Sequence, residues 1–280
     1  MDEQELLKER FKSAVSSTVK AISENFDLEI KFGNTVSDKE NSLNLPAIAS
    51  LKNLQEITNL RAFADSEALK IKYTNKKIYE ENEPLGSMSK ALYSIAEKIR
   101  YEKIGSNRLK GVKNNIIQSY ENKFRNKKIE EIQTEMDVPT TDAFELYLRN
   151  HFFKIKQSQT TKKVLSYWKD LFDKNLKNKL KDLDNCIEDQ SKFAQLVADL
   201  INNLDFEDSE SKEKQEEKES KKEDSSQSDE SDDRNELSKK DENETADSSL
   251  SAVENTMETS DKNENIEKKE VEGDPSTIKR

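Results

Sequence analysis

The chain has 280 residues, and its 58 acidic and 47 basic side chains give a formal net charge of −11. The acidic excess lies at one end, because residues 207–280 hold 26 acidic and 13 basic residues, which leaves 32 acidic and 34 basic residues in 1–206. A near-neutral part followed by a part of charge −13 argues against a nucleic-acid partner, since phosphate backbones attract basic surfaces.

The sequence also lacks the usual marks of membrane and secreted proteins. No apolar run approaches the roughly 20 residues that a membrane-spanning helix needs. The one cysteine, Cys186, cannot form an intrachain disulfide, and no basic and apolar signal segment follows Met1. We therefore expect a cytoplasmic protein with no membrane partner.

Composition predicts two regions. Residues 207–280 contain no Phe, Tyr or Trp and few aliphatic residues, so they cannot bury enough apolar surface to offset the loss of chain entropy. We expect a helical domain over residues 1–206 and a disordered acidic linker or tail over residues 207–280. The tail is interpreted as a solvated linker, with diffuse binding of cations as the alternative.

The N-terminal stretch predicts one helix followed by a small sheet. An apolar face recurs from Leu7 to Ile22, and this helix is expected to end near Asn25. Residues 28–32 then alternate apolar and charged side chains, and residues 42–46 are expected to form the returning strand. The predicted fold class is therefore mainly α, with one small β-hairpin that packs on the helices because two strands alone are not stable.

Two later helices place charged residues inside their apolar stripes. In a long helix over residues 48–73, Arg61 lies inside the apolar stripe and Asp65 lies one turn later. In the next helix, which also carries Arg100, Glu102 lies three residues after Ile99 and so continues the apolar stripe. Breaking a buried ion pair costs on the order of 3 to 5 kcal/mol. We therefore predict that Arg61, Asp65, Arg100 and Glu102 form one polar network between the two helices, and we favour a structural role for it over a directly functional site.

Two glycines are expected to mark the end of one helix and the start of the next. Gly105 is predicted to be a left-handed C-cap, and Gly111 is predicted to open the following helix. That helix continues to Phe124, where a basic cluster at residues 123–128 is interpreted as a solvated face, with a docking surface for an acidic partner as the alternative.

Three further helices are predicted after Pro139. Asp142 and Glu145 are spaced like a capping box that opens the first of them, and the last is expected to start near Asp184. His151 and Trp168 are interpreted as core or edge residues, because His151 is the only histidine and Trp168 continues an apolar stripe.

The residues do not point to catalysis by this chain. There is no glycine-rich phosphate loop, and no group of Cys, His and carboxylate residues has the spacing of metal ligands. Neither His151 nor Cys186 has a local partner that would make it a nucleophile or base. We assign no catalytic, cofactor-binding or metal residues, and a helical enzyme that uses His151 or Cys186 is the least favoured interpretation.

The order and spacing of these blocks resemble the T subunit of aerobic cobaltochelatase, the CobT family. The resemblance runs from about Phe11 to about Asp208 and includes residues 164–172 and 183–205, followed by the acidic stretch. The matching positions are an arginine with an Ala-Asp-Ser pattern and a later run with two glycines: Arg61, Ala64, Asp65, Ser66, Arg100, Glu102, Ile104, Gly105, Gly111, Val112 and Asn114.

This resemblance implies a non-ATPase subunit of an ATP-dependent enzyme that inserts Co2+ into the corrin ring of hydrogenobyrinic acid a,c-diamide during cobalamin biosynthesis. In the family a separate AAA+ subunit uses ATP and Mg2+, and a large subunit holds the corrin and cobalt. The present part would then be an assembly module for the AAA+ subunit in an oligomeric ring. The structural and interaction residues implied are Arg61, Asp65, Arg100, Glu102, Gly105, Gly111 and Asn114.

The chain departs from the family pattern in two places. Family members often carry histidines where this chain has Phe63 and Asn75, so a role in metal handling at those positions is not expected here. The family's C-terminal von Willebrand factor A-like domain, with its D-x-S-x-S adhesion motif, is not found after Gly273. We expect that the sequence is part of a longer protein, with a shortened subunit as the alternative. A stand-alone helical adaptor or chaperone-like protein with an acidic tail is the alternative from a different functional class.

Overall fold

A computed structural model describes residues 3–33, 41–125 and 129–204. Within these ranges the chain is mainly helical with two short strands, which confirms the predicted fold class. The acidic tail and residues 126–128 of the basic cluster lie outside the described residues. The elements are α1 Glu3–Ser23, β1 Glu29–Phe32, β2 Ser42–Leu45, α2 Leu54–Tyr73, α3 Lys76–Asn82, α4 Ser87–Arg108, α5 Lys110–Arg125, α6 Thr140–Phe153, α7 Gln159–Asn175, α8 Leu180–Asn185 and α9 Gln190–Asn202.

The two strands pair in parallel, so the predicted hairpin is wrong in its direction. Glu29 lies opposite Ser42, and Phe32 lies opposite Leu45. The alternation of apolar and polar residues indicates which side chains face the helices, but it is the same for either direction of pairing. Leu28 and Leu45 are buried against the helical part, as that alternation predicts.

Local capping determines where two of the helices begin. Helix α2 starts at Leu54 rather than near residue 48, because the Asn53 side chain accepts hydrogen bonds from the backbone N–H groups of Gln55 and Glu56. Asn75 caps helix α3 in the same way, and the sequence pattern predicted no helix here.

Helix α6 begins at Thr140, directly after Pro139, and no side chain caps it, so the predicted capping box is wrong. Asp142 and Glu145 instead accept hydrogen bonds from Lys123 of α5, at 3.0 Å each. The two acids therefore tie α6 to α5. The expected final helix, α9, starts at Gln190 rather than near Asp184, and the short helix α8 precedes it.

Helix α4 lies at the centre of the bundle and packs against α2, α5, α6 and α9. Its buried apolar residues include Leu92, Ala96 and Ile99, which follow the predicted helical stripe. None of the helices in the described residues is long and apolar enough to cross a membrane.

Gly105 lies inside α4 and is not the left-handed C-cap that its sequence context suggested. The helix continues to Arg108, where the N–H group of Leu109 bonds to the Gly105 carbonyl at 2.8 Å. A Cβ atom at position 105 would overlap the side chain of Leu69 on α2. The glycine therefore allows α2 and α4 to approach closely, whereas Gly111, the second residue of α5, faces open space.

Candidate functional site

Helix α4 carries two of the predicted charged residues on opposite sides. An α-helix turns about 100° per residue, so Arg100 and Glu102 point about 200° apart. Both are almost fully buried, with Arg100 at 1% and Glu102 at 2% exposure. They therefore belong to two different polar clusters, one on each side of the helix.

The Glu102 cluster consists of Glu102, Ser66, Arg149, Glu145 and Lys123. Arg149 Nη1 is in ionic contact with Glu102 Oε2 at 2.7 Å, and Arg149 Nε donates to Glu145 Oε1 at 2.8 Å. Ser66 donates to Glu102 Oε1 at 2.6 Å, and Lys123 contacts Glu145 Oε2 at 3.0 Å. This cluster joins α2, α4, α5 and α6, with Glu102 and Arg149 buried and Lys123 exposed at its edge.

Electrostatics in the Glu102 cluster favour the charged forms. Burial alone would raise the pKa of Glu145, but the positive charges of Arg149 and Lys123 hold that pKa down at about 2. Burial would lower the pKa of Arg149, and the carboxylates of Glu102 and Glu145 raise it instead. The Arg149 guanidinium also lies 4.6 Å from the centre of the Tyr120 ring, a distance at which cation–π attraction contributes.

The Arg100 cluster consists of Arg100, Glu97, Gln190 and the backbone of Tyr73 and Asn75. Arg100 Nε donates to Glu97 at 3.1 Å, and Arg100 Nη2 donates to the Tyr73 carbonyl at 2.6 Å. The Gln190 side chain accepts from Asn75 N–H at 2.7 Å and donates to Glu97 at 3.3 Å. Burial raises the pKa of Glu97 even though Arg100 acts in the other direction.

Asp65 belongs to a third, smaller group. Its carboxylate accepts a hydrogen bond from Asn115 of α5 at 2.7 Å, and Asp65 is 2% exposed. Burial raises the pKa of Asp65, while the Asn115 hydrogen bond and the nearby charge of Arg61 act in the opposite direction. The predicted Asn114 is exposed, so the residue that reaches α2 is its neighbour, Asn115.

The charge of Arg61 is near enough to lower the pKa of Asp65, but the structure does not join Arg61, Asp65, Arg100 and Glu102 in one network. Sequence reasoning missed one partner on α4 itself, Glu97. It also missed the partners on other helices: Arg149 and Glu145 on α6, Asn115 on α5 and Gln190 on α9. One signal was available in the sequence, because Glu97 precedes Arg100 by three residues and such a pair lies on the same helix face.

An open cleft of about 500 Å³ lies beside the Arg100 cluster, where the end of α2, the end of α4 and the start of α9 meet. Arg100 and Gln190 lie at its base, and Arg108 and Glu188 lie at its rim. Lys72, Tyr73 and Thr74 line the α2 side. We call this the Arg100 cleft.

The single histidine and the single cysteine lie away from these clusters. His151 Nε2 is 2.7 Å from Asp184 Oδ2, and this pair links α6 to α8. Burial raises the pKa of the Cys186 thiol, and the charges of Asp189 and Asp182 act in the same direction. Across residues 3–33, 41–125 and 129–204, no three His, Cys, Asp or Glu side chains are grouped so that they could hold a metal ion.

The fold and its buried ion pairs define a helical protein whose charged groups mainly bind one another. The sequence model of one family, the cobalamin biosynthesis protein CobT, matches residues 6–277, which is nearly the whole chain. The chain therefore belongs to the CobT family, as the resemblance predicted. No solved structure matches the described fold.

Proposed function

We propose that this chain is the non-ATPase subunit of an ATP-dependent cobalt chelatase. The enzyme would insert Co2+, as a substrate, into hydrogenobyrinic acid a,c-diamide during cobalamin biosynthesis. The observation that carries this proposal is the match of residues 6–277 to the cobalamin biosynthesis protein CobT family.

Within that enzyme, the described helices act as an assembly module. The most buried charged residues of the bundle are bound to other helices, as Arg149 is to Glu102 and Arg100 is to the end of α2. Such contacts between helices hold the helices in fixed positions and so stabilise a rigid surface. This is the arrangement expected of a subunit that supplies contacts to its partners.

The partners follow from the family. An AAA+ subunit would bind and hydrolyse ATP with Mg2+, and a large subunit would hold the corrin ring and Co2+. The three would form an oligomeric, ring-shaped assembly in the cytoplasm. This division of labour gives the present chain a structural role in coupling ATP hydrolysis to metal insertion.

The test is a reconstitution with three purified subunits, in which Co2+ insertion is followed by the absorbance change of the corrin. Insertion is expected to require this chain as well as ATP. A pull-down of the AAA+ subunit by the full chain, with and without ATP, is expected to recover the partner. Insertion at an unchanged rate when this chain is omitted would contradict the proposal and would favour a stand-alone helical adaptor.

A further inference from the structure

The rim of the Arg100 cleft holds two cations that lie close to one aromatic ring. Lys72 Nζ lies 5.4 Å from the centre of the Tyr73 ring, and the Arg108 guanidinium carbon lies 5.4 Å from the same centre. The two positive charges are therefore at most 10.8 Å apart. Arg108 is also fixed by a hydrogen bond of 3.1 Å from its Nη1 to the Tyr73 hydroxyl oxygen.

Each rim cation is occupied by a carboxylate of the chain itself. Glu188 contacts Arg108 at 3.3 Å, and Glu24 contacts Lys72 at 2.6 Å. The side chains of Glu188 and Glu24 are 67% and 69% exposed. Ion pairs that reach the solvent contribute little to stability, so another carboxylate can displace either of these two rim glutamates at little cost.

The floor of the cleft is polar, and its main side chain is held in place by hydrogen bonds. Arg100 is 1% exposed and is held in place by Glu97 and the Tyr73 carbonyl. Thr74 Oγ1 is buried at the cleft without a hydrogen-bond partner among the described residues. A buried hydroxyl without a partner is unusual, because it loses its hydrogen bonds to water without compensation. An incoming oxygen acceptor would satisfy it.

We propose that the Arg100 cleft binds an acidic segment of a partner protein, whose carboxylates take the places of Glu188 on Arg108 and Glu24 on Lys72. The resident groups are carboxylates, which is the chemistry these cations already accept. In an extended segment, alternate side chains are about 7 Å apart, so two acids within a few residues can reach both cations. The cleft is also open along the surface, as a docked chain segment requires.

This inference does not depend on the cobalt chelatase assignment. It concerns one cleft and one ligand chemistry, and it can be tested without an AAA+ subunit. A failure of Co2+ insertion in the reconstitution would not contradict binding of an acidic segment in the Arg100 cleft. A failure of that binding would not contradict the chelatase assignment.

The experiment is an NMR titration of the full chain with a blocked hexapeptide of Glu and Asp, at about 20 mM and about 500 mM salt. The largest amide shifts are expected in residues 72–75, 108 and 188–190, and they are expected to shrink at the higher salt because exposed charges are screened. Parallel titrations with glutarate and with inorganic phosphate distinguish an acidic chain segment from a small anion.

Four variants make the test specific. Removal of both rim cations in Lys72→Gln/Arg108→Gln is expected to weaken peptide binding at least fivefold. The control Lys76→Gln/Lys77→Gln removes the same charge from α3 and is expected to change binding less than twofold. Glu188→Gln frees Arg108, so binding is expected to tighten two- to fivefold, whereas Glu80→Gln on α3 adds the same charge without that gain.

Three results would overturn the proposal. One is a set of shifts spread over the surface without a maximum at the cleft. Another is equal affinity in Glu188→Gln and Glu80→Gln, which would mean that only net charge matters. The third is binding of glutarate or phosphate as tight as that of the peptide, which would make the cleft a small-anion site.

Discussion

The two sides of helix α4 hold the same types of side chain in different surroundings. On one side, Glu102 and Arg149 are 3% exposed and lie among four helices. On the other side, Arg100 is equally buried, but its cleft opens to a rim where Arg108 and Glu188 are more than half exposed. A charge inside a helical stripe is thus structural when other helices enclose it, and it borders an open cleft when they do not.

The largest expected effect comes from breaking the enclosed side. Arg149→Met leaves Glu102 and Glu145 buried without their main cation, and the loss is expected to be about 3 to 5 kcal/mol in the free energy of unfolding. Urea denaturation of the full chain measures it.

The matched control for that variant is Arg108→Met on the open side. It removes an exposed arginine from an exposed pair, so a much smaller loss than in Arg149→Met is expected. Equal losses in Arg149→Met and Arg108→Met would erase the contrast between the two sides.

Acid is expected to affect the two clusters with opposite sign. The pKa of Glu145 falls from 4.5 to about 2 in the folded chain, so its contribution is complete above pH 4.5 and disappears as the pH falls towards 2. The full shift corresponds to at most about 3 kcal/mol. The stability advantage of the wild type over Glu145→Gln should therefore shrink on acidification.

Glu97 behaves in the other direction because burial raises its pKa. Folding then disfavours its ionised form, and the stability of the wild type relative to Glu97→Gln should fall as the pH rises above 4.5. Unfolding free energies of both variants between pH 3.5 and 7 check the pair of predictions. If the difference in unfolding free energy from the wild type changed with pH in the same direction for both variants, the two clusters would not differ in this way.

A smaller effect is expected where α2 and α4 approach each other. Gly105→Ala places a methyl group against Leu69, and the overpacking is expected to cost about 1 to 3 kcal/mol even though alanine is the better helix former. Gly111→Ala adds the same methyl group in open space and is expected to be neutral or slightly stabilising. Thermal unfolding of the two variants measures the difference. A Gly105→Ala variant as stable as Gly111→Ala would show that a methyl group fits between α2 and α4 without strain.

The smallest expected effect concerns neighbouring asparagines. Asn115→Ala removes the donor to the buried Asp65 and is expected to cost about 1 to 2 kcal/mol. Asn114→Ala, at an exposed position, should stay within about 0.5 kcal/mol of the wild type. The same denaturation assay compares them, and a larger loss at Asn114 would return that residue to the role predicted from sequence.

The helical fold could be predicted from sequence because apolar residues repeat with the helical period in α1, α4 and α7. The parallel direction of the two strands could not be predicted, because the alternation of apolar and polar residues is the same in parallel and antiparallel pairs. Short helix α3 was missed because it has no buried residues to reveal its period. Periodicity thus identifies a buried face where there is one, and it does not identify the element that covers that face.

The same limit explains the charged residues. The stripe of α4 predicted that Glu102 is buried, but nothing local indicates that Arg149, 47 positions later, is its partner. The error of joining Arg100 to Glu102 was avoidable, because residues two apart do not share a helix face. The prediction for Gly105 was wrong because a glycine near a helix end is typical of two features, a C-cap and a close contact with another helix.

The most direct test of the contrast is a pair of double-mutant cycles measured by urea denaturation. One cycle combines Glu102→Gln with Arg149→Met, and the other combines Glu188→Gln with Arg108→Met. The coupling energy is expected to be about 2 kcal/mol or more for the enclosed pair and below about 0.5 kcal/mol for the rim pair. Equal coupling energies would contradict the division of α4 into a structural side and a side available for binding.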